Sequence, residues 1–189
     1  MNLLIDGCIF GSTDEAELGL FWKQIIPRLP KLLEGDTVFY MNRGVHADPF
    51  PLENTGFSVL NAPIPELVQF NIEHRRLLAL CDELKIDVFL TSRYTHAPAG
   101  RAKVIFTLAA AFPYLSQIDF PSLIAREHLI GTADLCIAMD QDAANYLLWG
   151  YGVPISKTQV VGTNPIDFDK IAANVAGAIR QLASTSALR

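Results

Sequence analysis

Hydrophobic residues along this chain fall into short uninterrupted runs that alternate with longer amphipathic stretches. The short runs have the length and the β-branched content of strands that are buried on both faces. They predict seven strands, over residues 2–6, 37–41, 57–60, 87–91, 103–107, 135–139 and 158–161.

The stretches between these runs repeat apolar residues at helical spacing. Ser12 or Thr13 is placed to cap a first helix, which Pro27 and Pro30 should kink or end. Further helices are predicted over residues 67–85, near 121–130, near 141–149 and over about 167–183. Strands that alternate with amphipathic helices indicate an α/β fold, a Rossmann-like three-layer α/β/α domain with a mostly parallel sheet.

Length and composition narrow the class of protein. A chain of 189 residues, 50% hydrophobic and 19% charged, predicts a single compact domain over residues 1–189. The net charge of -5 and the lack of a Lys or Arg cluster argue against a nucleic-acid partner. No apolar run is long enough for a transmembrane segment, and the amino terminus lacks the basic start of a secretory signal, so we expect a cytoplasmic protein. Cys8, Cys81 and Cys136 are far apart and lie beside apolar residues, which predicts reduced thiols in the core.

Ligands of open parallel sheets bind beyond the carboxyl ends of the strands, so the loops that follow the strands carry the candidate site residues. Arg and Tyr side chains there can hold a carbohydrate or an anionic group by hydrogen bonding and stacking. For any one of these residues, a solvated loop position without a ligand is the alternative. The substrate-binding candidates are Arg43, His46, Arg93, Tyr94, His96 and Asp140, with Arg101 in the same loop as Tyr94.

Other kinds of site find little support in the sequence. No His, Cys or carboxylate pair has metal-ligand spacing, and no serine lies in a Gly-x-Ser-x-Gly context. No Gly-x-Gly-x-x-Gly follows the first strand, which makes a dinucleotide enzyme a poor interpretation. We therefore expect no metal and no cofactor.

Several strings, in their order and spacing, are similar to those of a known family. Residues 19–23 resemble a Gly-Ile-x-x-Tyr helix start, and residues 87–92 resemble an Asp-Val-x-His-x strand. Residues 133–138 are similar to Ala-Asp-x-Ile-Ile-Ala, and residues 151–161 to a Leu-Gly-Val-Pro, Lys, Val-Val run. Together they resemble the amino-terminal domain of the GT-B-fold retaining glycosyltransferases, the group that includes glycogen and sucrose synthases.

The resemblance implies half of a GT-B fold, and it covers the chain up to about Asp167. In that family the amino-terminal domain holds the acceptor, and a carboxy-terminal domain holds the nucleotide-sugar. We therefore expect a glycosyltransferase-like acceptor-side domain that transfers a sugar only if a donor-binding domain complements it and is inactive alone. The last helix is expected to correspond to the family helix that crosses back onto the first domain. Two explanations of the length remain open. Either the donor-binding half of a domain pair has been lost, or the sequence is a truncated part of a longer protein.

The catalytic positions that the resemblance implies are occupied by alanine. The family string Thr-x-His-Asp-x-x-Pro falls on residues 107–113, so its His and Asp correspond to Ala109 and Ala110. A methyl group can neither accept a hydrogen bond nor stabilise developing charge, and we predict no catalytic residue in this chain. Gly11 and Ser12 correspond to the family loop that approaches the donor diphosphate, but the acidic residues that follow them would repel a phosphate.

Two further hypotheses stay open beside the glycosyltransferase-like one. The chain could be a non-catalytic carbohydrate- or protein-binding module, or a small nucleotide-binding Rossmann-like protein. The partners we expect are a carbohydrate acceptor and either a second copy or a donor-binding domain that covers the cleft face.

Overall fold

The computed structural model describes residues 1–7, 16–43, 56–61, 70–91, 100–108 and 127–185. All seven predicted strands are present. They are β1 (Asn2–Asp6), β2 (Thr37–Asn42), β3 (Ser58–Asn61), β4 (Val88–Thr91), β5 (Lys103–Leu108), β6 (Leu135–Ala138) and β7 (Thr158–Val160). The predicted bounds agree with these to within one residue at each end.

Helices separate the strands as expected. They are α1 (Ala16–Ile25), α2 (Leu29–Leu32), α3 (Phe70–Glu83), α4 (residues 127–132), α5 (Gln141–Tyr151) and α6 (Phe168–Ser184). The predicted break at the prolines is confirmed, because a 3₁₀ turn over Ile26–Arg28 contains Pro27 and the short α2 contains Pro30. The predicted cap at Ser12 or Thr13 lies outside the described residues. None of the helices in the described ranges is long and apolar enough to cross a membrane.

The strands form one sheet in the order β3-β2-β1-β4-β5-β6-β7, and all six pairings are parallel. The strand order reverses between β1 and β4. From β1 the chain builds one half of the sheet through β2 and β3, and from β4 it builds the other half through β5, β6 and β7. In open parallel sheets such a switch point lies beside the usual ligand crevice.

Each face of the sheet has its own hydrophobic core. Leu3 and Ile5 of β1 point towards α1, α2 and α6, whereas Leu4 points towards α3, α4 and α5, as the alternation of a strand requires. Trp22 of α1 is fully buried in the first core, and Leu147 of α5 is fully buried in the second. The predicted three-layer α/β/α fold is therefore confirmed.

The last helix packs far from the strand that precedes it. β7 lies at one end of the sheet, but α6 packs against α1, α2, β4 and β5 near its middle. The predicted apolar face is buried, with Ile171, Val175 and Ile179 inside the core and Leu182 half-buried. Asp167 caps this helix by accepting hydrogen bonds from the amides of Asp169 and Lys170. The helix thus closes the first core.

Two glycines give a matched test of this packing. A Cβ atom on Gly162 would lie 1.8 Å from the carbonyl oxygen of Met139, which is backbone and cannot move aside, whereas one on Gly177 would meet nothing within 4 Å. We expect Gly162→Ala to lower the free energy of unfolding by about 1–3 kcal/mol. Gly177→Ala should raise it by about 0.5–1 kcal/mol because Gly177 lies inside α6. Chemical denaturation of both variants checks this, and a neutral Gly162→Ala would contradict the packing of residue 162 on the end of β6.

Candidate functional site

A buried ion-pair cluster, formed by Asp6, Arg43 and Glu73, lies at the carboxyl ends of β1 and β2. Nε of Arg43 donates to Oδ1 of Asp6 at 2.8 Å, and its Nη2 lies 3.3 Å from Oδ2 of the same carboxylate. Nη1 donates to Oε1 of Glu73 at 2.5 Å. The guanidinium therefore binds one carboxylate in a two-point fork and a second carboxylate on its other side.

The local structure explains how these three residues meet. Asp6 is the last residue of β1 and pairs with Met41 of β2, so Arg43 follows just past the end of the neighbouring strand. Asp6 alternates with Ile5 and points to the same face as Leu4, which is the face that α3 covers. Glu73 lies in the first described turn of α3. The cluster therefore ties the ends of two central strands to the start of a helix.

The three charged side chains of this cluster are buried, so each charge depends on its partners for stabilisation. The side chains of Asp6 and Arg43 are almost completely inaccessible to solvent, and Glu73 is nearly so. Removing one partner would leave an uncompensated charge in a low-dielectric interior, which is costly. Arg76, which is half-exposed, lies 3.8 Å from Oε2 of Glu73 and places a second positive charge beside the two carboxylates.

The structure gives Arg43 a role that the sequence did not indicate. We expected its guanidinium to be available to a substrate, but Arg43 is only 3% exposed and both sides of its guanidinium are engaged by carboxylates. Asp6 and Glu73 were not among the candidates. The available signal was an aspartate at the end of an apolar strand, because a carboxylate that is buried there needs a counter-charge or hydrogen-bond donors.

Two amides and a carboxylate are among the polar groups that the described residues place at this edge of the sheet. Asn42 and Asn61 are the last residues of β2 and β3, they pair in register, and Nδ2 of Asn42 donates to Oδ1 of Asn61 at 3.3 Å. Asp140, the predicted candidate after β6, is exposed and caps α5, where its Oδ1 accepts from the amide of Ala143 at 2.7 Å. Asp140 thus has a structural task and remains accessible.

The remaining predicted residues divide into two groups. Arg101 was expected at the carboxyl edge, and that expectation is wrong. It is exposed two residues before β5 and so lies at the amino edge, opposite the edge where ligands of such sheets bind. The others lie outside the described residues and stay predictions. They are His46, Arg93, Tyr94, His96, Gly11, Ser12, Ala109 and Ala110.

Two buried threonines lie at the carboxyl ends of β4 and β5. Thr91 ends β4 and is buried, and Thr107, next to last in β5, is buried as well. Within the described part of the chain, Oγ1 of Thr107 has no hydrogen-bond partner. Thr107 is also the residue that corresponds to the first position of the family string Thr-x-His-Asp-x-x-Pro.

The two described cysteines are core residues, as predicted. Cys81 and Cys136 are buried and not in a disulfide. Burial raises the pKa of each thiol to about 12, with Asp82 adding to the rise at Cys81 and Lys157 opposing it at Cys136. Across the described ranges, His, Cys, Asp and Glu side chains form no group of three that could hold a metal ion.

Sequence comparison adds no family to this picture, because no protein-family model matches the chain and no curated protein matches it either. Solved structures do match. The Staphylococcus aureus MnaA structure with UDP superposes with a TM-score of 0.61 at 18% identity, over 90% of this chain and 46% of that one. UDP-GlcNAc 2-epimerase from Neisseria meningitidis, bound to UDP-GlcNAc, gives 0.58 at 15% identity, over 98% and 51%.

A third match extends the comparison. Anabaena Alr3699/HepE in complex with UDP superposes with a TM-score of 0.54 at 17% identity, over 85% of this chain and 43% of that one. The chain has the fold of one half of a GT-B protein. It spans about half the length of the structures it matches. At these identities the likeness establishes the fold and leaves the activity to be argued.

The ion-pair cluster predicts a large and specific loss of stability. Arg43→Met should lower the free energy of unfolding by about 3–5 kcal/mol, because it leaves buried carboxylates without a counter-charge. Arg76→Ala, the matched control on the exposed side, should change it by less than about 0.5 kcal/mol. Adding Asp6→Asn to Arg43→Met should recover part of the loss, since it removes the orphaned charge. Urea denaturation measures all three variants, and a cost for Arg43→Met as small as that of Arg76→Ala would rule out the buried pairing.

The raised thiol pKa values predict that the native thiols resist chemical labelling and that the stability of the fold depends on pH. In a Cys8→Ser background, Cys81 and Cys136 should resist a thiol-specific reagent in the native protein and react fully in denaturant. Because the folded-state pKa lies above the ordinary value of 9.0, the stability that these thiols contribute is complete below that pH and is lost as the pH rises towards about 12. Rapid labelling of native protein at neutral pH would contradict their burial.

Proposed function

We propose that this chain is the acceptor-side half of a glycosyltransferase-like protein, which transfers a sugar from a nucleotide-sugar only when a donor-binding domain completes the cleft. The observation that carries the proposal is the pattern of coverage. The superpositions on structures that hold UDP or UDP-GlcNAc include 90% and 98% of this chain but only about half of each matched chain. The acceptor-side assignment rests on the chemistry of the carboxyl edge.

That chemistry favours a neutral polyhydroxyl ligand over a diphosphate. A diphosphate is held by free cations and by open helix amino termini. In the described part of the edge, Arg43 is paired with two buried carboxylates, the half-exposed Arg76 lies beside one of them, and the start of α5 is capped by the negatively charged Asp140. The amides of Asn42 and Asn61 both donate and accept hydrogen bonds, as sugar hydroxyls do.

A second candidate function, a carbohydrate-binding module without transfer chemistry, is favoured by one observation in the sequence. Ala109 and Ala110 stand where the resembling family has His and Asp. A site that binds a sugar through amides and lacks these two side chains would hold its ligand without acting on it. The two functions share the binding surface and differ in the reaction.

Ligand-observed NMR on the purified chain tests the shared binding step, with a panel of neutral saccharides compared against UDP. We expect saccharide binding and no binding of UDP. Asn61→Ala should weaken the saccharide about fivefold, as expected for one lost hydrogen bond. Gln181→Ala removes an exposed amide near the carboxyl-terminal end of α6 and serves as the control that leaves binding unchanged.

The outcomes separate the candidates. UDP binding without saccharide binding would contradict the acceptor-side assignment and indicate a donor-binding half. If neither ligand binds, both the glycosyltransferase-like function and the carbohydrate-binding module are rejected. Sugar transfer in a complex that supplies a donor-binding domain supports the glycosyltransferase-like function. Saccharide binding without transfer in that complex supports the non-catalytic module.

A further inference from the structure

One stretch of the chain is almost free of charge. Residues 143–166 contain a single charged side chain, Lys157, in 24 positions, although 19% of the whole sequence is charged. The stretch includes most of α5, the 3₁₀ turn over Ile155–Lys157, and β7. Depletion of charged residues with aromatic enrichment is the compositional mark of an interface core.

Apolar side chains in this stretch are exposed to solvent. Trp149 on α5 is 82% exposed, Ile155 in the turn 74%, and Val160 on β7 41%. The helix and the turn both pack against β7, so the three residues belong to adjoining elements, and we call them the β7 surface. Trp149 lies on the opposite side of α5 from Ala143, Ala144 and Leu147, which face the core, so it has no part in the interior packing.

The strand beside these residues is an edge strand of the described sheet. β7 is the last strand of the sheet and pairs with β6 alone among the described strands. An edge strand presents backbone donors and acceptors that can pair with another strand, and proteins usually protect such an edge with charged side chains. Here β7 consists of Thr158, Gln159 and Val160, and none of them is charged.

We propose that the β7 surface is a homodimer interface, in which β7 pairs with β7 of a second copy about a two-fold axis. A two-fold interface places the same patch against itself, so a patch of uniform charge would repel its own copy. The net charge of the chain is -5, yet this stretch carries no acidic residue and one lysine. It is therefore a region where two acidic chains can meet without strong repulsion.

The exposed apolar area has the scale that such an interface needs. A large aromatic side chain buries about 150–250 Å². Trp149, Ile155 and Val160 together expose about 400 Å² at their fractional exposures, roughly half of the ~800 Å² that each partner contributes to a standard interface. The open backbone of β7 and its exposed polar neighbours can supply the remainder. The paired edge runs along β7, so the carboxyl edge that carries the proposed ligand site stays open.

The two ends of the sheet provide a matched experiment. Val160 and Val59 are each 41% exposed, Val160 on the edge strand β7 and Val59 on the opposite edge strand β3. We expect sedimentation and light scattering to find a dimer of the native chain. Val160→Lys should raise the dimer dissociation constant about tenfold or more, because it puts one added positive charge on each of the two paired strands. Val59→Lys should leave it unchanged.

A second variant protects the test against loss of folding. Trp149→Lys changes an exposed helical residue away from the core, so it should weaken the dimer with an unchanged circular dichroism spectrum. A native chain that is monomeric up to about 1 mM would overturn the proposal. A dimer that survives Val160→Lys and Trp149→Lys, or one that Val59→Lys dissociates equally, would overturn it as well by excluding the β7 surface.

Discussion

A parallel sheet must be covered on both faces, and this requirement shapes the whole molecule. Right-handed crossovers that run in opposite directions from the middle of a sheet place their helices on opposite faces. Here α1 and α2 cover one face beside β1 and β2, while α4 and α5 cover the other face beside β5, β6 and β7. Among the described helices, α6 is the one that packs on the first face at β4 and β5. The position of the last helix follows from topology as much as from its own sequence.

The buried ion-pair cluster applies a comparable constraint at the carboxyl edge. Asp6, Arg43 and Glu73 come from β1, the end of β2 and α3, so their pairing fixes how the chain leaves two strands and enters a helix. Because both sides of the Arg43 guanidinium are paired with carboxylates inside the fold, this cation is not available to a ligand. A residue that was expected to contact a substrate is thus a structural residue, and its positive charge lies inside the fold.

The sequence allowed the strands and the face of α6 to be predicted because both are encoded locally. The composition of residues 103–107 alone predicts a buried strand. The spacing of Ile171, Val175 and Ile179 predicts the buried face of a helix. The partners of Arg43 could not be predicted in this way, since they lie 37 and 30 positions away and meet only through the strand order. Arg101 shows the same limit, because membership of a loop does not tell which edge of the sheet a residue reaches.

Charge distribution connects the two surfaces of the molecule. At the carboxyl edge, the buried charges of Asp6, Arg43 and Glu73 are paired with one another. At the β7 end, residues 143–166 carry a single charged side chain, Lys157, which suits contact with another apolar surface. A protein that joined two copies through β7 would keep both carboxyl edges accessible, because strand pairing extends the sheet sideways and leaves the strand ends uncovered. Binding at one surface and association at the other are therefore compatible demands on the same fold.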